Sequence, residues 1–256
     1  MNEVVLCNFC LLEGLTDEAA CKRLTKGAKN PKFIMDTLTS QDTKLLKSLV
    51  DHGLDVNAKF KGYLGESLVM EAARKGLKKT FQMLLNLGAD PLVCDSRGAS
   101  LLHYACGRNH VGILETLNLE TNVDIFTKLV EKPDGMLKST PVMWAAERGH
   151  LTCLKYIFDN FGKKALLSTD SYRRGCTHYA ALRGSTDILE YLNDIDCCMY
   201  TFEDNEGLTP LILARNNKRI EALKFLEKNC PHPYLEDDVM CALCKAPMKT
   251  LPPRKK

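Results

Sequence analysis

Four residues near the end of the chain have the types and spacing of a metal site. Cys230, His232, Cys241 and Cys244 read C-x-H-x8-C-x2-C. Two thiolates separated by two residues can hold one side of a tetrahedral Zn²⁺, and a histidine and a third cysteine complete four ligands. The spacing matches no familiar finger, and Pro231 and Pro233 flank the histidine. The alternative is a capping segment with reduced cysteines. A second Cys-x-x-Cys, Cys7 with Cys10, lies at the opposite end. No nucleophile–base pairing, phosphate-cradling glycine loop or zinc-hydrolase helix is legible. The expectation is a non-enzyme with no cofactor other than zinc in the tail.

The remaining candidates are charged. Lys75, Arg108, Arg148 and Arg183 recur at matching places in similar segments, each as the second member of the pairs Arg74-Lys75, Gly107-Arg108, Glu147-Arg148 and Leu182-Arg183. Arg97 and Arg174 lie in the stretches leading into two of the helical segments, and the single tryptophan, Trp144, stands beside the Glu147-Arg148 corner. Cations brought close in one column suit recognition of carboxylate or phosphate, for which arginine is the fitted residue. The same cations at helix ends are also ordinary dipole partners. Trp144 is open to two readings, a core residue touching the next unit or a partly exposed anchor.

What must position these residues is a repeat. GESLVMEAARKGL (65–77), GASLLHYACGRNH (98–110), STPVMWAAERGH (139–150), RRGCTHYAALRGS (173–185) and GLTPLILARNNKR (207–219) share one layout. Their first small residues, Ala72, Ala105, Ala145, Ala180 and Ala214, are separated by 33, 40, 35 and 34 residues. A serine or threonine before the helix offers an oxygen to a free N–H, and Pro141 and Pro210 fit a first helical position. Gly76, Gly149 and Gly184 stand where a first helix must stop. Leu151, Leu154, Ile157 and Phe158 form an apolar stripe for a second helix. The step of 40 implies about seven additional residues within 118–138, expected as a lengthened hairpin loop.

These lines closely resemble the ankyrin repeat family, in Thr140-Pro141, His103, Gly149-His150 and LLNLGAD (84–90), with 32–57 as a degenerate first unit. The resemblance spans roughly 31–229. It implies an all-α solenoid of stacked helix-turn-helix units with hairpin loops, near 31–60, 61–94, 95–135, 136–169, 170–203 and 204–229. Residues 1–30 form an N-terminal cap, with a short helix from Thr16 to a stop at Gly27, and 230–256 a cysteine-containing basic tail. It also implies a turn-bonding role for His103, His150 and His178, and a concave face on which the family binds proteins. The string TPVMWAA is similar to one in ankyrin-containing palmitoyltransferases, whose tryptophan there helps to hold a substrate peptide. The Asp-His-His-Cys motif of those enzymes is not in this sequence.

Composition agrees. A formal net charge of +3 over 256 residues does not argue for nucleic acid or membrane, and no run nears the ~18 apolar residues of a span. Twelve cysteines without a small-domain disulfide pattern suit a reducing compartment, cytoplasmic or nuclear. The expected protein is a monomeric, non-catalytic interaction module or scaffold binding a protein partner, with an acidic segment as the favoured ligand of Lys75, Arg97, Arg108, Trp144, Arg148, Arg174 and Arg183. Its rivals are a zinc-containing adaptor and a non-catalytic subunit delivering substrates to an enzyme.

Overall fold

The computed structural model describes residues 22, 25–60, 64–121, 123–195 and 200–229. The four zinc candidates, the Cys7–Cys10 pair and most of the cap lie outside them. Residues 25–27 are helical and lead into a turn at 28–29.

The helices come in pairs: α1 (Pro31–Ser40) with α2 (Thr43–Asp51), α3 (Leu68–Lys75) with α4 (Lys78–Asn86), and α5 (Leu101–Gly107) with α6 (Val111–Glu120). After α7 (Val123–Val130) follow α8 (Pro141–Arg148) with α9 (Leu151–Phe161), α10 (Cys176–Arg183) with α11 (Thr186–Ile195), and α12 (Pro210–Asn216) with α13 (Ile220–Asn229). The described residues form two compact units, those up to residue 105 with 110–129, and 106–109 with those from 130 to 229. In the first, α4 packs on α2 and α6; in the second, α10 packs between α8 and α12, and α13 on α11.

Each pair is short because its sequence stops it. Gly76, Gly149 and Gly184 take φ of 70°, 77° and 86° at the ends of α3, α8 and α10, a left-handed conformation that glycine adopts without steric cost. The following helix then turns back, and the small pairs Ala72-Ala73, Ala145-Ala146 and Ala180-Ala181 are fully buried. One helix pair cannot bury its own stripe, so neighbours supply the rest. In α9 the buried positions are Cys153, Leu154 and Ile157, whereas Leu151 and Phe158 are half-buried.

Two local expectations need correction. Of the helix starts, Thr209 accepts the Ile212 N–H at 3.4 Å, but the side chains of Ser67 and Thr140 make no capping bond. The third helical residue instead reaches back in three repeats. His103 Nδ1 accepts the Ser100 N–H at 3.0 Å, His178 Nδ1 that of Gly175 at 3.2 Å, and Met143 Sδ faces that of Thr140 at 3.4 Å. The additional residues after α6 do not lengthen a hairpin loop. They fold as α7, with Phe126, Leu129 and Val130 buried, because VDIFTKLV carries its apolar residues at helical spacing.

Candidate protein-interaction site

Between helix pairs the chain makes short fingers, and four of them are each organised by one buried aspartate. Asp95 Oδ1 accepts the N–H groups of Arg97 and Ala99, both at 2.8 Å. Asp134 Oδ1 takes those of Met136, Leu137 and Ser139 at 3.2, 2.9 and 3.3 Å. Asp170 serves Tyr172 and Arg174, and Asp204 serves Glu206 and Leu208. Burial raises the pKa of Asp204, but the Leu208 and Glu206 N–H groups and Arg174 outweigh it and hold the carboxyl below its ordinary range.

The second oxygen of each aspartate fastens the finger to the helix behind it. Tyr104 donates to Asp95 at 2.7 Å, Trp144 Nε1 to Asp134 at 3.2 Å and Tyr179 to Asp170 at 2.6 Å. Burial, then the aspartate, pushes both tyrosine hydroxyls well above their usual pKa, so they remain donors. Asp204 instead receives the Nε and Nη2 of Arg174 at 2.8 and 2.7 Å. These aspartates were not singled out in the sequence. For Asp95, Asp134 and Asp170 the signal was a donor side chain nine or ten residues downstream, at the position just before a small residue.

The sequence-derived cations divide into two groups. Lys75 is exposed but bonded to Glu71 at 3.2 Å and to the Thr39 hydroxyl at 2.8 Å. Arg97 lies between Asp95 and Tyr104 at 3.4 and 3.1 Å, and Arg174 is paired with Asp204 and sits 5.4 Å from the Tyr172 ring. Their charges are matched within the chain. Arg108 and Arg183 are exposed and engage no described residue. Arg148 is exposed yet partly engaged: its guanidinium lies 5.0 Å over the half-buried Trp144 ring, and Nη1 donates to the Gly107 carbonyl at 3.4 Å. A Cβ on Gly107 would stand 2.2 Å from Nη1 and 3.2 Å from the Trp144 ring. The bare backbone at Gly107 thus leaves room for the arginine and the edge of the indole beside it.

Lys75 belongs to the first compact unit, while Arg108, Arg148, Arg183 and Trp144 belong to the second. Within the second, α8 and α10 pack side by side, and Arg148 and Arg183 end those helices one residue before their glycines. Arg108 follows Gly107 in the chain, so the Arg148–Gly107 contact brings that segment to the end of α8. Among the described residues no group of histidine, cysteine and carboxylates could hold a metal ion, and no helix is long and apolar enough to cross a membrane.

Paired helices, aspartate-organised fingers and a row of first helices define a repeat protein built for contact with other macromolecules. A family model described as ankyrin repeats (3 copies) matches residues 33–128 and 118–201; the chain belongs to the ankyrin repeat family. It is 26% identical over 152 residues to an ankyrin repeat protein of Rickettsia bellii, covering 59% of this chain and 78% of that one. It is 27% identical over 184 residues to palmitoyltransferase ZDHHC17 of Danio rerio, covering 72% of this chain and 28% of the enzyme. An ankyrin repeat and KH domain-containing protein of Caenorhabditis briggsae matches 68% of the chain at 23% identity, across 6% of its own length. Ankyrin repeats are protein–protein interaction modules, generally non-catalytic, and the chain is read as one.

Proposed function

We propose that the chain binds an acidic segment of a protein partner through the first-helix face of its second unit. The observation that carries this reading is the Arg148–Trp144–Gly107 arrangement. A guanidinium held on an indole face and against a carbonyl has already lost rotamer freedom, so less is lost on binding. Arg148 uses one donor internally, and the others engage no described residue. Arg108 and Arg183 flank it as exposed, unmatched charges. Cations left without partners where neighbouring cations are neutralised form a surface that favours anions.

The test is affinity capture from cell extract with wild-type chain and an Arg108→Glu/Arg148→Glu variant verified as folded, partners being identified by mass spectrometry. Partners lost only from the variant, whose binding weakens as salt rises through the physiological range, agree with the proposal. Partners that bind both proteins equally, or whose binding ignores salt, remove it.

A further inference from the structure

Two of the five fingers differ from the rest in a way the fold does not require. Three residues before these first helices begin the backbone is left-handed: Gly65, Gly98 and Gly207 have φ of 71°, 77° and 76° there. In the middle fingers the same place is held by Lys138 and Arg173, at φ 61° and 63°. Any side-chain residue is disfavoured in that conformation, and glycine is not. These two cations are therefore held at a local cost, which neighbouring fingers avoid, and neither side chain engages a described residue.

The same two fingers carry apolar tips. Met136, Leu137 and Tyr172 are 68%, 39% and 44% exposed. The tips are locked in a row: the Leu137 carbonyl accepts the N–H and hydroxyl of Ser171 at 2.7 and 2.8 Å, and the Tyr172 carbonyl accepts the Asn205 N–H at 2.9 Å. Asp134 joins this row to the arginine face, since its oxygens hold the Met136 and Leu137 N–H groups on one side and the Trp144 indole on the other.

We infer that the fingers 134–139 and 170–174 form a recognition ledge for a partner segment combining carboxylates with apolar side chains. The carboxylates meet Lys138, Arg173 and Arg148, and the apolar groups cover Met136, Leu137 and Tyr172. This deepens the proposed function and rests on it. A row fixed by backbone hydrogen bonds loses little freedom on binding, and the local charge complements an acidic ligand.

The experiment is selection of binders to the full chain from a random 12-residue peptide display library, which contains no phosphate. The expected peptides are enriched in Asp and Glu together with large apolar residues at a fixed offset. A Lys138→Gly/Arg173→Gly variant, which relieves the backbone, should melt higher, by about 2–4 °C per site, yet bind the best peptide about tenfold more weakly. Met136→Ser should weaken it while retaining the acidic preference. Acidic enrichment without apolar preference, or unchanged affinity for the glycine variant, overturns the ledge and leaves the arginine face standing. Peptides with no acidic enrichment overturn both.

Discussion

At the scale of single residues, the chain uses glycine and aspartate to place larger groups. Gly107 is helical, so replacing it by alanine should gain about 1 kcal/mol of helix propensity. The new methyl would displace Arg148 and forfeit a cation–π contact of about 0.5–1 kcal/mol. The two nearly cancel, and Gly107→Ala should leave stability within about 1 kcal/mol of wild type. The effect should appear instead in the fluorescence of Trp144, the single tryptophan, and in weaker capture of acidic partners. Unchanged emission would show that the stack does not depend on the bare backbone at 107. Asp134 is the reverse case. Asp134→Ala strips three backbone N–H groups and the indole of their acceptor, at a cost of about 2–3 kcal/mol. Trp144→Phe removes one donor and should cost about 1 kcal/mol. Because both act on one bond, the double variant in urea unfolding should lose less than the two singles added together.

At the scale of elements, α7 separates what the residue pattern revealed from what it concealed. The helix pairs were legible because small residues, glycines and apolar stripes recur in register, and a local signal repeated five times outweighs noise in any one copy. The fate of the additional residues was not, since the insertion occurs once and has no copies to compare. Its own periodicity was the available clue: Phe126, Leu129 and Val130 share one helical face and are buried. The capping arrangement was hidden for another reason. Threonine before proline offers its oxygen to the N–H of the third helical residue, as Thr209 does, but His103, His178 and Met143 make the reverse contact and accept the N–H of the residue before the helix. Which half of this reciprocal arrangement forms is decided by side-chain geometry, which residue identity alone does not supply. For the six candidate cations, the pattern gave no hint that Lys75, Arg97 and Arg174 are matched internally. If α7 is an integral element, Phe126→Ala should cost about 3–5 kcal/mol in chemical denaturation, as for other buried phenylalanines. A loss below 1 kcal/mol would return the segment to the status of a loop.

At the scale of the whole molecule, stability in a repeat array is a sum of local terms and nearest-neighbour interfaces, so a local titration should open the chain locally. His178 supplies one. Burial, the largest effect, lowers its pKa from 6.5 to about 4, against the raising influence of Asp204. Its Nδ1 also accepts the Gly175 N–H, which requires an unprotonated ring nitrogen. Between these two pKa values the unfolded chain binds the proton and the folded chain does not. Stability is therefore flat above about pH 6.5 and falls as pH drops toward about 4, by on the order of 3 kcal/mol. Asp204 does not offset this, because its own pKa lies below the ordinary carboxylate range and it stays ionised throughout that window. Hydrogen exchange at pH 5 and pH 7, corrected for intrinsic rates, should show protection lost first in α10 and in α8 and α12, which pack against it, with α3 and α4 little changed. In His178→Gln, whose amide carries no titrating charge, the difference between the two pH values should shrink. Uniform loss along the chain would mean that acid acts through the summed charge and not through this one buried imidazole.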